Sequence, residues 1–446
     1  MSGYGAGLAR KRVELAREHL PGPAAIGNCA VNSNAVHGVS KGGVQGTKAP
    51  RRNCSAVREI PPSKRTRLGQ PGASQNMREG GGCMFAQAAM RPGPEVDWEE
   101  FLTGLRGAPG IMLMVAEGTP FEFERVAPLL RELDAEVFGG IFPGVIFGDR
   151  WYRSGAVACA LTDPARVLRL GSLGEPRLEQ MQSTTLLVLL DGMAAGISDF
   201  LHGLFASCGP GTTFVGGGAG KLTLRQEPCL FTREGIFAGG AILAATDQTV
   251  AVGVGHGWQA FQGPYVATRT EGTRVKELNW RPAFEVYREA VERQSGQTLH
   301  EGNFFAIAKH FPLGMARLDG SVVVRDPIRT EPDGSLVLVG EVPQNSVLML
   351  MRGDPDHLVR AAGEAARQAA LAHARHAAAP PTAALVVDCI SRVLYLEEAM
   401  ERELRAIRDA LPPGTPVFGF LSLGEVASRG DRYVESYNKT TVVGVA

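Results

Sequence analysis

The sequence predicts an α/β protein of mixed α+β type, built from repeated strand-helix-strand units that form two α/β halves with mixed sheets and outer helices. Three observations carry this expectation. A short apolar strand leads into a helix and a second strand three times, at residues 111–118 with 137–144, 186–192 with 214–220, and 384–391 with 417–425. A further, similar strand follows each copy, at 155–163, 239–247 and 441–446. Between 256 and 351, extended segments are interleaved with a helical one, as in mixed sheets with helices on the outside. Repetition of this kind marks a scaffold assembled from one supersecondary unit.

Residues 1–91 are expected to be a disordered, basic, glycine-rich leader, with clusters at Gly42-Gly43 and Gly80-Gly81-Gly82 and no sustained apolar period. Residues 1–82 hold 13 Lys/Arg against 4 Asp/Glu, leaving 33 against 42 for the rest, so a +9 tail joins a −9 body. A basic tail suits nucleic acid or an acidic surface, yet it lacks interleaved aromatics, and a linker or an over-extended start ahead of Met84 or Met90 is the plainer reading. Nucleic acid is therefore not expected as a partner. The start of the chain has basic residues and no apolar core segment, and no run approaches the roughly 18 apolar residues of a membrane span. Seven unpaired cysteines do not make a disulfide framework, which points to a reducing cytoplasm.

From Asp97 the pattern becomes regular. Helices are expected at 97–105, at 121–133 with Phe121, Val126, Leu129, Leu130 and Leu133 inward, and at 193–206 with Ile197, Phe200, Leu201 and Leu204 inward. The first half, 92–255, closes near Gly255, and the second covers 256–446. The second half should contain extended segments at 265–270, 304–309, 322–326 and 346–351. Helices are expected at 282–293, opening on a proline suited to a first turn, at the alanine-rich 357–377 and at 391–411.

The third copy is chemically distinct, because its strand ends carry Cys389, Arg392 and Glu425 where the earlier copies are mostly glycine, alanine or proline. Cys389 precedes a helix start and a guanidinium, both of which lower a thiol pKa; the alternative is a buried, inert cysteine. His256, in Gly253-Val254-Gly255-His256-Gly257-Trp258, is either a haem ligand approached through the glycines or a hydrogen-bonded structural residue. Arg325 and Asp326 end an apolar strand, where the arginine either grips a carboxylate or is neutralised by Asp326 or Glu425. Asn438 adds a polar group on the loop after Glu425. Gly216, Gly217 and Gly218 with Lys221 invite a phosphate-loop reading that fails in detail. Val215 stands where the first glycine belongs and Leu222 where a Ser/Thr should bind magnesium, leaving tight packing or close ligand approach. No CxxC, CxxCH or HExxH spacing is present, which disfavours a zinc or covalent haem site.

Several of these residues also carry a resemblance. His256-Gly257-Trp258, Val266-Ala267-Thr268-Arg269, Arg281-Pro282-Ala283-Phe284-Glu285-Val286-Tyr287, Val324-Arg325-Asp326, Asp388-Cys389-Ile390-Ser391-Arg392 and Gly419-Phe420-Leu421-Ser422-Leu423-Gly424-Glu425 run in the order found in the C-terminal half of FIST-domain proteins. Asp191-Gly192 and Val215-Gly216-Gly217-Gly218-Ala219 resemble their N-terminal half, so 92–255 reads as FIST N-like and 256–446 as FIST C-like. Phe420-Leu421 and Leu423 depart from the usual pattern. The resemblance implies a cytoplasmic, non-enzymatic sensory module that binds a small ligand, an amino acid or similar small acid. It would act through a separate partner such as a histidine kinase or a cyclic-dinucleotide enzyme. On this reading His256, Arg325, Asp326, Cys389, Arg392, Glu425 and Asn438 form the pocket and Gly216, Gly217 and Gly218 allow close approach. Arg325 or Arg392 would hold an acid, and Asp326 or Glu425 an amino group. The alternatives are a haem-based nitric-oxide sensor using His256 and an enzyme with Cys389 as nucleophile and His256 as base.

Overall fold

In each copy the two apolar strands lie parallel, as a helical crossover between them requires: Gly110–Ala116 with Glu136–Phe142, Thr185–Asp191 with Thr213–Ala219, and Ala384–Cys389 with Val417–Ser422. The computed structural model describes residues 84–174, 181, 183–377, 379–428 and 433–446; residues 1–83 of the expected leader lie outside the described residues. The first strand of each pair is buried at every position, which is why it reads as an unbroken apolar run. The third strand of each copy, Gly155–Leu161, Ala241–Thr246 or Thr441–Val445, pairs antiparallel with the first. Beyond it lies an antiparallel edge strand, Phe85–Pro92, Arg166–Leu170 or Ala251–Gly255.

Each of these three sheets is completed by a hairpin from a different copy. Gly144–Phe147 and Arg150–Tyr152 join the third copy's sheet beside Val417–Ser422. Leu230–Thr232 and Gly235–Phe237 join the first beside Glu136–Phe142. Glu425–Ser428 and Val434–Tyr437 join the second beside Thr213–Ala219. The result is three six-stranded sheets of one design, linked by a closed cycle of exchanged hairpins. One glycine recurs at the same register in all three. A Cβ on Gly139, Gly216 or Gly419 would stand 1.9, 1.9 or 1.8 Å from the carbonyl oxygen of Leu113, Val188 or Val386 on the neighbouring strand. Gly216 therefore has a packing role, as do Gly217 and Gly218, whose added Cβ atoms would meet the Gly424 and Leu423 carbonyls at 2.9 and 2.8 Å.

The third copy carries an insertion between its edge strand and its first apolar strand. Strands Gln259–Glu271, Val347–Arg352, Leu313–Ala316, Val322–Thr330, Leu336–Val339 and Arg274–Leu278 pair in that order, and the last pairs back on the first to close an antiparallel ring. The short Arg281–Pro282 extends it. Helix Ala283–Ser295 covers the ring with Val286, Tyr287 and Val291 buried, and Pro282 is its N-cap. Helix Pro355–His376 then returns to the core sheet, burying Leu358 and Ala362, Ala365, Ala366 and Ala369. It lies directly on the edge strand, because a Cβ on Gly253 would stand 1.9 Å from the Ala365 carbonyl. The glycines around His256 thus admit this helix: an added Cβ at Gly257 would meet the His357 carbonyl at 2.6 Å.

The mixed α+β class holds, and several local expectations are corrected. Phe85–Pro92, which the expected leader covered up to Arg91, is a sheet edge. Residues 304–309, read as extended, form helix Phe304–Ala308 with Phe304, Ile307 and Ala308 buried. The expected helix over 391–411 is broken into Ile390–Leu396 and Met400–Ala410 at Glu397, whose φ is +50°. The division after Gly255 falls just before the inserted ring, while its flanking edge strand pairs with the C-terminal strand Thr441–Val445.

Candidate functional site

A cavity of about 860 Å³ opens where the inserted ring meets the strand ends of the second and third copies. Its walls come from residues 192–198 after the second copy's first strand, from Cys389, Ile390, Ser391 and Leu394, from Leu423, Gly424, Ser436 and Asn438, and from ring residues around Glu271, Lys309, Asp326 and Val339. This is the position where α/β sheets gather ligands, beyond the carboxyl ends of parallel strands. Of the sequence-nominated residues, Asp326, Cys389 and Asn438 line it.

Asp326 is 1% exposed and faces the cavity because side chains alternate along Val322–Thr330; Arg325, one residue earlier, faces the other way. Its Oδ2 accepts from Ser391 Oγ at 3.1 Å and lies 3.4 Å from Lys439 Nζ. Its Oδ1 is buried without a hydrogen-bond partner, and so is Oδ1 of Asn438, itself 3% exposed. Two buried, unmatched acceptors on residues of one cavity wall carry a desolvation cost that a hydrogen-bond donor would offset.

Cys389 caps helix Ile390–Leu396 and is 3% exposed. Burial, reinforced by neighbouring Glu425, pushes its thiol well above the ordinary range, outweighing the backbone hydrogen bonds near it. The expectation of a lowered thiol pKa is thereby reversed: Arg392 is engaged elsewhere and the carboxyl beside the thiol opposes ionisation. Glu425 does not line the cavity. It accepts from Ser422 Oγ at 2.6 Å and from the Thr440 amide at 3.3 Å, and burial raises it to about 8.

Both arginines nominated to hold an acid are occupied. Arg392 is 0% exposed and donates to Glu403 at 2.8 and 2.5 Å and to the carbonyls of His256, Lys439 and Leu358. Asp388 Oδ1 lies 3.3 Å from it. Arg325 pairs with Glu435, not with the expected Asp326 or Glu425, and donates to the carbonyls of Glu341, Val324 and Ser436. His256 accepts from the Trp258 amide at 3.0 Å through Nδ1 and is not among the residues that line the cavity.

Sequence reasoning missed Lys439, Ser391, Lys309 and His310. Lys439 is buried at a φ of +53°, donates to the Lys309 carbonyl at 3.0 Å and stands 4.9 Å over the Trp258 ring. A buried lysine beside Asn438 in a turn was detectable only as an Asn-Lys pair ending a strand. Lys309 donates to Glu397 at 3.2 Å, and His310 is lowered to about 4, by burial first and then by Lys309 and Lys439. The uncapped start of helix Ile197–Cys208 also lines the cavity, marked in sequence by Gly192 and Gly196. Among the described residues no helix is long and apolar enough to cross a membrane.

Comparison with known proteins assigns most of this architecture. The FIST N domain model matches residues 111–281 and the FIST C domain model residues 283–428, so the boundary between the two matches falls inside the inserted ring. Two uncharacterized proteins of Mycobacterium tuberculosis, MT0656 of strain CDC 1551 / Oshkosh and Rv0628c of strain ATCC 25618 / H37Rv, are each 25% identical over 224 residues, 49% of this chain. The match spans 56% of each relative, little more than half its length. With both domain models matched in order across the sheets that build the cavity, the chain belongs to the FIST family, whose domains are small-ligand sensory modules of signal transduction.

Proposed function

We propose that the cavity is the sensory site and that it takes a small ligand bearing an ammonium group, with an amino acid or similar zwitterion as the expected class. The carrying observation is that Asp326 and Asn438, two residues of one cavity wall, each keep a buried Oδ1 that accepts no hydrogen bond, so a ligand donor that displaces a neighbouring side chain to reach them gains a partner. An ammonium offers three donors to such acceptors and suits a carboxylate whose other oxygen is already held by Ser391 and Lys439. The protein acts in the cytoplasm, and the occupied state is read by a separate signalling partner, a histidine kinase or a cyclic-dinucleotide enzyme. Binding signals by favouring one arrangement of the ring against the core through differential affinity. Cys389 is a wall residue in this reading; a protonated thiol does not serve as nucleophile.

Calorimetric titration with amine-bearing ligands tests the reading. Asp326→Asn is expected to weaken an ammonium ligand about tenfold or more, the loss of one charge-assisted hydrogen bond. Cys389→Ser is expected to leave affinity within about twofold. Undiminished binding in Asp326→Asn, or loss of binding in a folded Cys389→Ser, sinks the assignment.

A further inference from the structure

The ring wall of the cavity carries two arginines that the ammonium site leaves unused. Arg274 and Arg329 both stand opposite Val337, one on each neighbouring strand, and all three residues line the cavity. Residues paired across antiparallel strands project to one face, so the two side chains leave the sheet on either side of Val337. Asp326 stands opposite Val339, one row further along the same face. Three steps along an even strand would turn Arg329 away from Asp326's side. The register slips between Pro327 and Arg329, and the bulge at Ile328 brings Arg329 back to the cavity.

The pair has one carboxylate between two cations. Glu331 accepts from Arg274 Nε at 3.0 Å through one oxygen and from Arg329 Nη2 at 3.1 Å through the other. Among the described residues neither guanidinium donates elsewhere, so each keeps all but one of its five N–H donors for solvent or a ligand. The nearby anions are engaged: Glu271 pairs with Lys276 at 2.5 Å, and Asp333 accepts from the Ser335 amide at 3.0 Å. The side chains of Arg274 and Arg329 are 43% and 39% exposed while Asp326 is 1% exposed, so the arginines stand at the mouth and Asp326 deep in the wall.

Charge and spacing set the class. Around the lining Arg274, Lys309 and Arg329 stand against Glu271, Asp326 and Glu341, a balance that favours a ligand of no net charge. The rows of Val339 and Val337 are two residues apart, about 7 Å along the strand. The charged groups of an α-amino acid share one carbon and stand only about 3 Å apart. Held at Asp326, such a ligand stops short of arginines that Glu331 fixes at the mouth.

We infer that Arg274 and Arg329 form a carboxylate subsite and that the ligand is an aliphatic ω-amino acid, with roughly four to six methylenes between its ammonium at Asp326 and its carboxylate on the two guanidiniums. The methylenes cross Val339 and Val337. This deepens the sensor reading and rests on it for the ammonium end.

The test is calorimetric titration of the full chain with ε-aminocaproate, its isomer norleucine, hexylamine and caproate. ε-Aminocaproate is expected to bind at least about tenfold tighter than norleucine or hexylamine. Arg329→Gln should weaken ε-aminocaproate about tenfold and leave hexylamine unchanged. Glu331→Gln removes the competing carboxylate and should tighten ε-aminocaproate about threefold, a gain that a purely structural ion pair would not give. Unfolding midpoints confirm that each variant is folded. Norleucine bound as tightly as its isomer, or an Arg329→Gln variant that weakens hexylamine and ε-aminocaproate alike, overturns the subsite, while hexylamine binding that Asp326→Asn weakens leaves the sensor reading standing. Caproate bound through Arg329 with no amine bound overturns the ω-amino acid and the ammonium site together and keeps the arginine pair. If none of the four binds, both readings fall.

Discussion

Arg392 has five N–H donors, and all five are placed: two on Glu403 and one each on the carbonyls of His256, Lys439 and Leu358. It ties the start of the insertion, the alanine-rich helix and the last turn to one point. Arg392→Met would leave Asp388 and Glu403 buried without their cation, and a loss of about 3–5 kcal/mol is expected in denaturant unfolding. Glu425 gives a pH signature. Its carboxyl stands at about 8 in the folded protein, above its unfolded value, so its contribution is fully present below pH about 4.5 and is lost as pH rises toward 8. His310, lowered to about 4, acts oppositely: its contribution is present above pH about 6.5 and is lost as pH falls through 4. Unfolding measured from pH 6.5 to 8, above the range in which His310 contributes, should show a decline that Glu425→Gln lessens, with buried Asp388, also raised, contributing to what remains. The sequence brought attention to Arg392, Arg325 and Glu425 because charge at strand ends is conspicuous, but charge alone did not reveal their partners. Glu403 and Glu435 lie on surface-like helical and strand patterns, and only packing turns them inward.

At the scale of elements, repetition was legible because buried parallel strands need continuous apolar runs, and those runs survive in all three copies. Short apolar segments were not: Phe304–Ala308 is too brief for periodicity to separate helix from strand, and it follows directly on the 3₁₀ turn Glu301–Asn303, which His300 and Asn303 cap. The helical break at Glu397 was equally hidden, since it depends on bringing Glu403 back to Arg392. The contact of Pro355–His376 with its strand offers a sharp test. Gly253→Ala puts a methyl into the Ala365 carbonyl, and the helix must move as a unit; a loss of about 1–3 kcal/mol is expected in thermal or denaturant unfolding. A neutral result would mean that this helix is loosely seated.

At the scale of the whole molecule, the matched domain models meet near residue 282, whereas the sheets do not divide there. The first copy's hairpin completes the third sheet and the third copy's hairpin completes the second, so each side of that boundary lacks strands the other supplies. A fragment ending at Arg281 is expected to show no cooperative unfolding alone and to regain it when mixed with the remainder. Cooperative unfolding of the isolated fragment would show that the exchange is dispensable. The same cycle sets a timetable for a chain made from its N-terminus. Gly144–Phe147 emerges from the ribosome long before its partner Val417–Ser422 exists, and at about 5–20 residues per second the wait is on the order of tens of seconds. Through that interval the hairpin from the first copy has no sheet to join, and Val417–Ser422 is the strand that ends its wait.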